Sequence, residues 1–302
     1  MPGLPPAGKA GKGSLLLVLS TLAGCAGLMA VLLAGDLLTR PARHHVEAPP
    51  PDLPVQVVSL RGSGNQLVSG WWIPGRSGTG TILLLHGIRA DRRQMLGRAR
   101  FLHRLGYHTL LVDLPAHGES SGDRITFGVD ESAGVAKALE YLAAVTPQEK
   151  IGVIGVSLGA ASVVLLQHPP PLAAVILESM YPTIADAARA RLELHLGSAA
   201  RALAPLLLWQ LPLRLGIPAE QLRPIDALPA LHAPVLIASG TLDLHTPWHE
   251  TQSLFRAAPE PKALWPVPGA AHVDLHAFAP HEYERVVAEF LAKHLRSSAA
   301  PR

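Results

Sequence analysis

Cysteine is almost absent from this chain of 302 residues, which contains only Cys25. A single cysteine cannot form an intrachain disulfide framework, and it excludes a zinc site built from cysteine pairs. Charge is also sparse, since 16% of the residues are charged, the formal net charge is +3, and no run of five lysines or arginines occurs. The sequence therefore lacks the basic footprint of a nucleic-acid-binding protein, and we expect no nucleic-acid partner.

Hydrophobic residues make up 48% of the chain, and many of them are concentrated near the N-terminus. A Pro/Gly-rich tail, residues 1–13, is followed by residues 14–38, which carry a single charge, Asp36. The uncharged stretch 14–35 would extend about 33 Å as a helix, enough to cross a bilayer core of about 30 Å. The apolar core of a secretory signal peptide is usually only about 7–15 residues long. We therefore predict an uncleaved, single-pass signal anchor over residues 14–38.

The orientation of this anchor follows from the charges that flank it. Two lysines precede the span, which favours placing the bulk of the chain on the extracytoplasmic side, although two arginines follow it. A lipoprotein is the alternative, because residues 22–25 (LAGC) resemble a lipobox in which Cys25 would be lipidated after cleavage. Apolar residues continue for ten positions past Cys25, where mature lipoproteins are usually polar, so we favour the anchor.

The rest of the chain divides into a short spacer and one domain. Residues 39–54 are rich in proline, and their apolar residues do not recur at the spacing of a helix or a strand, which is typical of a stiff linker. From residue 55 to about residue 297, apolar runs typical of strands alternate with helical patterns, and no internal repeat occurs. We predict strands over 55–60, 67–74, 81–87, 109–115, 150–157, 173–179, 234–240 and 262–269. We predict helices over 92–105, 129–144, 158–167, 247–257 and 281–295.

This alternation predicts an α/β fold. Continuous apolar strands separated by helices indicate a mostly parallel central sheet with helices on both faces. The first two strands flank a short turn rich in Gly, Ser and Asn, which indicates a leading antiparallel hairpin.

Residues 181–231 interrupt the alternation with a helical stretch that is rich in Leu, Ala and Arg and punctuated by proline. We predict that this stretch forms a helical cap insertion over the carboxyl ends of the strands. Its apolar run, residues 204–217, leaves two alternatives open. The run either packs on the core, or it lines an acyl pocket or dips into a membrane surface.

The strongest motif is GVSLG at residues 155–159, directly after a predicted strand and directly before a predicted helix. In that context G-x-S-x-G predicts a nucleophile elbow, a sharp turn that exposes the Ser157 hydroxyl at the carboxyl edge of the sheet. The turn also directs the Leu158 amide at the oxyanion that forms when Ser157 attacks a carbonyl.

A second amide donor is needed for that oxyanion, and the loop after an earlier strand is where it should lie. Residues 85–88 (LHGI) end the strand that begins at residue 81, and the glycine permits close backbone approach. We therefore predict that the Ile88 amide is the second donor. His86 is expected to hold this loop and not to act in catalysis.

A nucleophilic serine also needs a base and a carboxylate that orients the base. Asp243 follows the strand predicted over 234–240, and His272 follows the strand predicted over 262–269. The order Ser, Asp, His along the chain matches the order expected for this kind of fold. Thr246 and Pro247 are expected to cap the next helix. Four other histidines lie near the same edge but do not directly follow a strand: His245, His249, His276 and His281.

These motifs together resemble those of the α/β-hydrolase superfamily, over residues 55 to 297. The chain is most similar to the branch often described as serine-aminopeptidase-like or acyl-esterase-like. The matching segments are 83–92, 110–123, 125–131, 155–160, 177–184, 239–247 and 269–275. The branch usually has Arg-Gly-His-Gly where this chain has Pro-Ala-His-Gly at 115–118, a difference that involves no catalytic position.

The resemblance implies a serine hydrolase that cleaves a carboxylic ester or thioester through Ser157, His272 and Asp243, with no metal and no cofactor. It implies a small-molecule or lipid-like acyl substrate, with the N-terminal helix as the membrane contact. Amide hydrolysis, acyl transfer on the same residues and a catalytically silent binding protein remain alternatives. The substrate and the oligomeric state do not follow from the resemblance, because one fold hosts many chemistries.

Overall fold

A computed structural model of the protein describes residues 11–62 and 66–295. Residues 1–10 of the predicted tail and residues 296–297 of the predicted domain lie outside this part of the chain. The main feature is an eight-stranded sheet with the strand order β10-β9-β8-β7-β4-β5-β3-β2. The strands are β1 Ala42–Arg43, β2 Gln56–Arg61, β3 Leu67–Ile73, β4 Thr81–Leu85, β5 His108–Val112, β6 His117–Gly118, β7 Ile151–Val156, β8 Ala174–Glu178, β9 Val235–Gly240 and β10 Lys262–Val267.

The directions of these strands agree with the sequence pattern. Strands β5, β4, β7, β8, β9 and β10 are mutually parallel, and β2 and β3 form an antiparallel hairpin that joins the sheet through β3 and β5. Each of the eight predicted strands is present and overlaps its predicted range.

Helices fill the connections between the strands. They are α1 Gly11–Thr39, α2 Leu96–Arg104, α3 Val129–Val145, α4 Leu158–Val164, α5 Ile184–Leu196, α6 Ala204–Leu208, α7 Leu211–Leu215, α8 Pro224–Ala227, α9 Trp248–Ala257, α10 Leu275–Phe278 and α11 Pro280–His294. Single 3-10 turns occur at Arg92–Met95, Ser198–Leu203, Ala219–Gln221 and Leu228–Ala230. Helices α5 to α8 lie within the predicted cap.

Both faces of the sheet are buried, which explains why its central strands are mostly apolar. Successive side chains of a strand point to opposite faces. In β4, Leu83 and Leu85 belong to one core cluster, while Ile82 and Leu84 belong to the other. Leu139 of α3 and Leu254 of α9 contribute to the first cluster, and α2 and α11 contribute to the second. This arrangement leaves the carboxyl ends of the strands open for a site.

Helix α1 has an exposed part and a packed part. The segment Ser14–Thr39 has a mean hydropathy of 2.4 and is long and apolar enough to cross a membrane. Residues 14–30 are exposed along their whole length. Near the C-terminal end of the helix, in contrast, Gly35 and Thr39 are buried, and the Gln210 amide donates to the Val31 carbonyl over 2.9 Å.

Charged groups fix this end of α1 to the domain. Asp36 accepts a hydrogen bond from Arg124 at 2.6 Å and lies 3.4 Å from Arg214. The Thr39 carbonyl accepts from the Ile125 amide over 2.9 Å. A Cβ at position 35 would meet the end of the Gln210 side chain, so this turn of α1 lies directly against the cap. The last two turns of α1 are therefore part of the folded domain.

The Pro-rich segment 39–54 lies on the domain surface. Its strand β1 pairs with β6, and Val46 and Leu53 are buried in the second core cluster. The Asp52 carboxylate accepts from the Arg100 guanidinium at 2.6 Å. This segment thus connects α1 to the sheet through contacts along its length.

Candidate active site

Ser157 occupies the sharp turn between β7 and α4. Its φ of 49° and ψ of −105° lie in a region that residues other than glycine rarely adopt. The turn is held on both sides, because the Ser157 amide donates to the Glu178 carbonyl over 2.8 Å and the Ala161 amide donates to the Ser157 carbonyl over 3.0 Å. The predicted elbow geometry is therefore present at this residue.

The two glycines of the motif are required by close backbone contacts. A Cβ at Gly155 would lie 2.7 Å from the Ala160 nitrogen, and a Cβ at Gly159 would lie 2.7 Å from the carbonyl oxygens of Leu85 and His86. Real Cβ atoms do not approach other atoms so closely, so no larger residue fits at either position without movement of the backbone.

Two backbone amides beside Ser157 have no hydrogen-bond acceptor within the described residues. The amide of Leu158 begins helix α4, where no carbonyl precedes it in helical position. The amide of Ile88 lies in the turn after β4 and likewise makes no hydrogen bond there. Ser157, Leu158 and Ile88 all line one cavity. Both amides are therefore available to a group bound in that cavity.

His86 holds the loop that carries Ile88. The Leu114 amide donates to His86 Nε2 over 2.9 Å, so the ring proton lies on Nδ1 and is donated to the Gly87 carbonyl over 2.7 Å. Burial lowers the pKa of His86 to about 4, so the ring is neutral at neutral pH. The Gly87 carbonyl and the Ile88 amide belong to the same peptide bond, and in a planar trans peptide these two groups point in opposite directions. Because the His86 ring holds the carbonyl, the Ile88 amide points away from that ring.

Gln94 was not identified from the sequence, but it completes this loop. Its Oε1 accepts from the Gly87 amide over 2.7 Å. A Cβ at Gly87 would lie 3.8 Å from the Ser157 Cβ, which places the loop directly beside the serine. No sequence motif identifies Gln94, because its contact with the Gly87 amide depends on how the turn between the two residues folds.

Asp243 and His272 are brought together at the carboxyl ends of β9 and β10. His272 Nδ1 lies 2.7 Å from Asp243 Oδ2. Burial of Asp243 raises the pKa of its carboxyl, but hydrogen bonds from His272 and Thr246 outweigh that effect, and the pKa lies below its ordinary value. Asp243 is therefore ionised at neutral pH and fixes the orientation of the His272 ring.

Thr246 differs from its predicted role. Its hydroxyl donates to Asp243 Oδ2 over 2.7 Å and its amide donates to Oδ1 over 2.9 Å. Pro247 occupies the N-cap position of helix α9, in line with the expectation, but no side chain caps the helix, so the expectation that Thr246 caps it is wrong. Thr246 instead helps to fix the carboxylate that orients His272.

The Ser157 hydroxyl makes no hydrogen bond to His272 within the described residues. Hydrogen bonds of a catalytic serine are often long before substrate binds, so this geometry does not oppose a role for the pair. The His245 ring lies 4.9 Å from the His272 ring, centroid to centroid. Among residues 11–62 and 66–295, no three His, Cys, Asp or Glu side chains are grouped so that they could hold a metal ion.

The cavity at Ser157 has a volume of about 280 Å³ and a mostly apolar lining. Leu207, Leu208 and Leu211 of the cap line it, so part of the apolar run 204–217 forms a pocket wall. Trp209 and Leu213 do not line it and are 58% and 73% exposed. The run thus faces the cavity on one side and solvent on the other.

The end of helix α1 forms another wall of this cavity, beside the walls formed by the cap. Ala34, Gly35, Leu37, Leu38 and Thr39 all line it together with Ser157. The sequence predicts the first four of these residues only as the end of an anchor, and Thr39 as the start of the linker. Their place in the site results from the ion pairs and hydrogen bonds that bind the helix end to the domain.

Comparison with known proteins defines the class of this protein. Residues 80–216 match the family model described as the alpha/beta hydrolase fold. An uncharacterized protein of Mycobacterium tuberculosis is 30% identical over 211 residues, which cover 68% of each chain. An esterase of Pyrococcus furiosus matches with a TM-score of 0.69 and 25% identity, over 85% of this chain and 98% of that one.

The chain belongs to the α/β-hydrolase superfamily. The predicted fold class, with its mostly parallel sheet, leading hairpin and flanking helices, is confirmed. A structure of an esterase from Thermogutta terrifontis, with a TM-score of 0.58 and 20% identity, covers 79% of this chain and 98% of its own and shares the fold. The assignment to one branch of the superfamily stays a prediction.

Proposed function

We propose that the protein is a serine hydrolase that cleaves a carboxylic ester or thioester through an acyl-enzyme intermediate. The observation that carries this proposal is the elbow at Ser157, which shares one cavity with two unpaired amides, of Leu158 and Ile88. The resemblance to an esterase of Pyrococcus furiosus favours esters as the substrate class.

In this mechanism Ser157 attacks the acyl carbon while His272 accepts its proton. The developing oxyanion is stabilised by the amides of Ile88 and Leu158, and Asp243 stabilises the His272 imidazolium. His272 then donates the proton to the leaving group. Water, deprotonated by His272, attacks the acyl-enzyme and releases the acid and the free serine.

Labelling with a fluorophosphonate tests this proposal. The full-length protein in mild detergent is treated with the probe, and the modified residue is identified by peptide mass analysis. We expect modification of Ser157, and we expect p-nitrophenyl esters to be hydrolysed faster than the matching p-nitroanilides. Absence of labelling would favour a binding protein, because the probe reacts only with an activated nucleophile, and faster anilide hydrolysis would favour an amidase.

The apolar cap wall predicts a preference for longer acyl chains. Replacing Leu208 with alanine is expected to lower the octanoyl-to-acetyl rate ratio by about 4- to 15-fold, since one or two buried methylene contacts are each worth ~0.8 kcal/mol. Leu213→Ala is the matched control, because Leu213 belongs to the same short segment but lies outside the cavity. Equal ratios in the two variants would contradict an acyl pocket.

The hydrogen bonds of His86 predict a second kinetic effect. His86→Ala is expected to lower kcat by about 10- to 100-fold with little change in KM, because one oxyanion donor contributes about 2.7–4 kcal/mol and here it is misoriented but not removed. His281→Ala, at an exposed position of α11, is the control. A rise in KM with unchanged kcat would argue against this positioning role.

We also propose that α1 is a single-pass anchor, with the catalytic domain on the extracytoplasmic side. The exposed, apolar residues 14–30 support this proposal, as does the packing of the C-terminal end of α1 against the domain. The lipoprotein alternative at Cys25 would retain that packed end.

The anchor predicts that full-length protein stays in the membrane pellet after washing with high salt and then with carbonate. A peripheral protein would be released, because such washes break polar contacts but do not extract a spanning helix. Intact-mass analysis of the purified protein distinguishes the alternatives. A chain that begins at a lipid-modified Cys25 would contradict the uncleaved anchor.

A further inference from the structure

The cavity at Ser157 adjoins a second apolar space. A groove lies between the exposed part of α1 and the cap, and it is lined by Gly24, Gly27, Leu28, Ala30, Val31 and further residues of the cap. Four residues border both spaces: Ala34, Leu192, Leu196 and Leu207. The groove therefore leads along α1 to the cavity that contains the serine.

The cap around this groove exposes large apolar side chains on its outer surface. Leu196, Leu206 and Trp209 line the groove and are 67%, 50% and 58% exposed. Leu213, at 73%, lies on the same short segment of the cap. Monomeric soluble proteins rarely expose so many neighbouring large apolar groups, and such surfaces mark contacts with a partner or a membrane.

The length of α1 favours a membrane over a protein partner as the contact of this surface. Its exposed residues 14–30 extend about 25 Å at 1.5 Å per residue, close to the thickness of a bilayer core. The packed residues that follow carry Asp36, which is paired with Arg124 and Arg214 at the surface of the domain. If α1 spans the bilayer, these charges lie at its interface, and the exposed cap surface lies against the acyl chains.

We propose that the substrate is an acyl ester dissolved in the bilayer, and that it reaches Ser157 laterally, through the groove between α1 and the cap. In this arrangement α1 is both the anchor and a wall of the acyl-binding passage. The inference rests on the proposed ester hydrolase activity and adds the source of the substrate and its route. Ala30 lines the groove but not the cavity, so a large side chain at this position would close the passage without filling the space beside Ser157.

The test uses the full-length protein reconstituted in phosphatidylcholine vesicles. Hydrolysis of 4-methylumbelliferyl palmitate, which partitions into the bilayer, is compared with hydrolysis of the water-soluble acetate. We expect Ala30→Trp, which obstructs the groove but does not line the Ser157 cavity, to lower the palmitate-to-acetate ratio at least tenfold. Ala26→Trp is the matched control, since Ala26 lies on the same helix, is exposed and lines neither space. Rates are divided by the number of sites titrated with a fluorophosphonate, so misfolded protein does not contribute.

The possible results distinguish a failure of the lateral-entry proposal from a failure of the proposed hydrolase activity. An unchanged ratio in Ala30→Trp, or an equal fall in Ala26→Trp, would overturn lateral entry. Wild-type hydrolysis of the acetate without hydrolysis of the palmitate would also overturn it and would leave the proposed function intact. Failure of the wild type to hydrolyse either ester would overturn the proposed function, and this inference with it.

Discussion

Replacing Ser157 with alanine is expected to lower ester turnover by at least ~10⁴-fold, because it removes the atom that forms the acyl-enzyme. The residual rate would come from the amides of Ile88 and Leu158 and from substrate binding alone. His272→Ala is expected to have a similar effect, and Asp243→Asn a somewhat smaller one. The measurement is kcat for a p-nitrophenyl ester under saturating conditions, in protein purified free of host esterases.

Ser162→Ala provides the matched control for the serine variant. Ser162 lies on α4, the helix that begins directly after Ser157, and it is fully buried and donates to the Leu158 carbonyl over 2.7 Å. The substitution therefore removes a buried serine hydroxyl near Ser157 at a residue that does not line the cavity. Its turnover is expected to stay within about threefold of wild type, since the loss of one such hydrogen bond costs about 1 kcal/mol of stability. More than a tenth of wild-type turnover in Ser157→Ala would overturn the assignment of the nucleophile.

The second large effect concerns stability and a buried ion pair behind the site. Arg98 and Glu178 are each 1% exposed, and two guanidinium nitrogens donate to the two Glu178 oxygens. Tyr283 donates its hydroxyl to Glu178 over 2.6 Å, and Arg98 also donates to Asp274 over 2.8 Å. This cluster joins the end of β8 to α2, α11 and the loop that follows His272.

Glu178→Ala is expected to lower the free energy of unfolding by about 3–5 kcal/mol, because it leaves the buried Arg98 charge without its main partner. For a domain of this size the melting temperature should fall by about 6–20 °C. Glu140→Ala is the control, since Glu140 pairs with Lys137 on the surface and such pairs contribute about 0–1 kcal/mol. The melting temperatures are compared in the same detergent.

The double variant Arg98→Met with Glu178→Met distinguishes loss of the pair from loss of packing. Replacing both charges with apolar groups of similar size removes the uncompensated charge, so the double variant should be more stable than Glu178→Ala. A double variant that is less stable than Glu178→Ala would indicate that shape, and not charge, determines the stability of this region.

Local patterns in the sequence predict most of the sheet and the order of the site residues. The central strands β4, β5, β7, β8 and β9 are recognisable because each is a short, largely apolar run buried on both faces. The edge strand β2 is mostly exposed and is recognisable only from its pairing with β3 across a short turn. Ser157 is recognisable because the elbow crowds the backbone on both sides and thereby requires glycine at 155 and 159. Asp243 and His272 can be predicted to lie near Ser157 because each follows a strand, and the carboxyl ends of parallel strands meet at one edge of the sheet.

The surroundings of these residues depend on contacts between distant parts of the chain, which no local pattern records. Thr246 bonds to Asp243 and not to the next helix, because the turn after β9 brings its hydroxyl to the carboxylate. The end of α1 lines the Ser157 cavity because Asp36 pairs with Arg124 and Arg214, residues 88 and 178 positions further along the chain. In the sequence the same residues are only the end of an apolar run. The sequence by itself determined the strands, the turn and the order of the reactive groups, since these depend on neighbouring residues. The tertiary structure alone decided what encloses them, since that depends on which distant surfaces pack together.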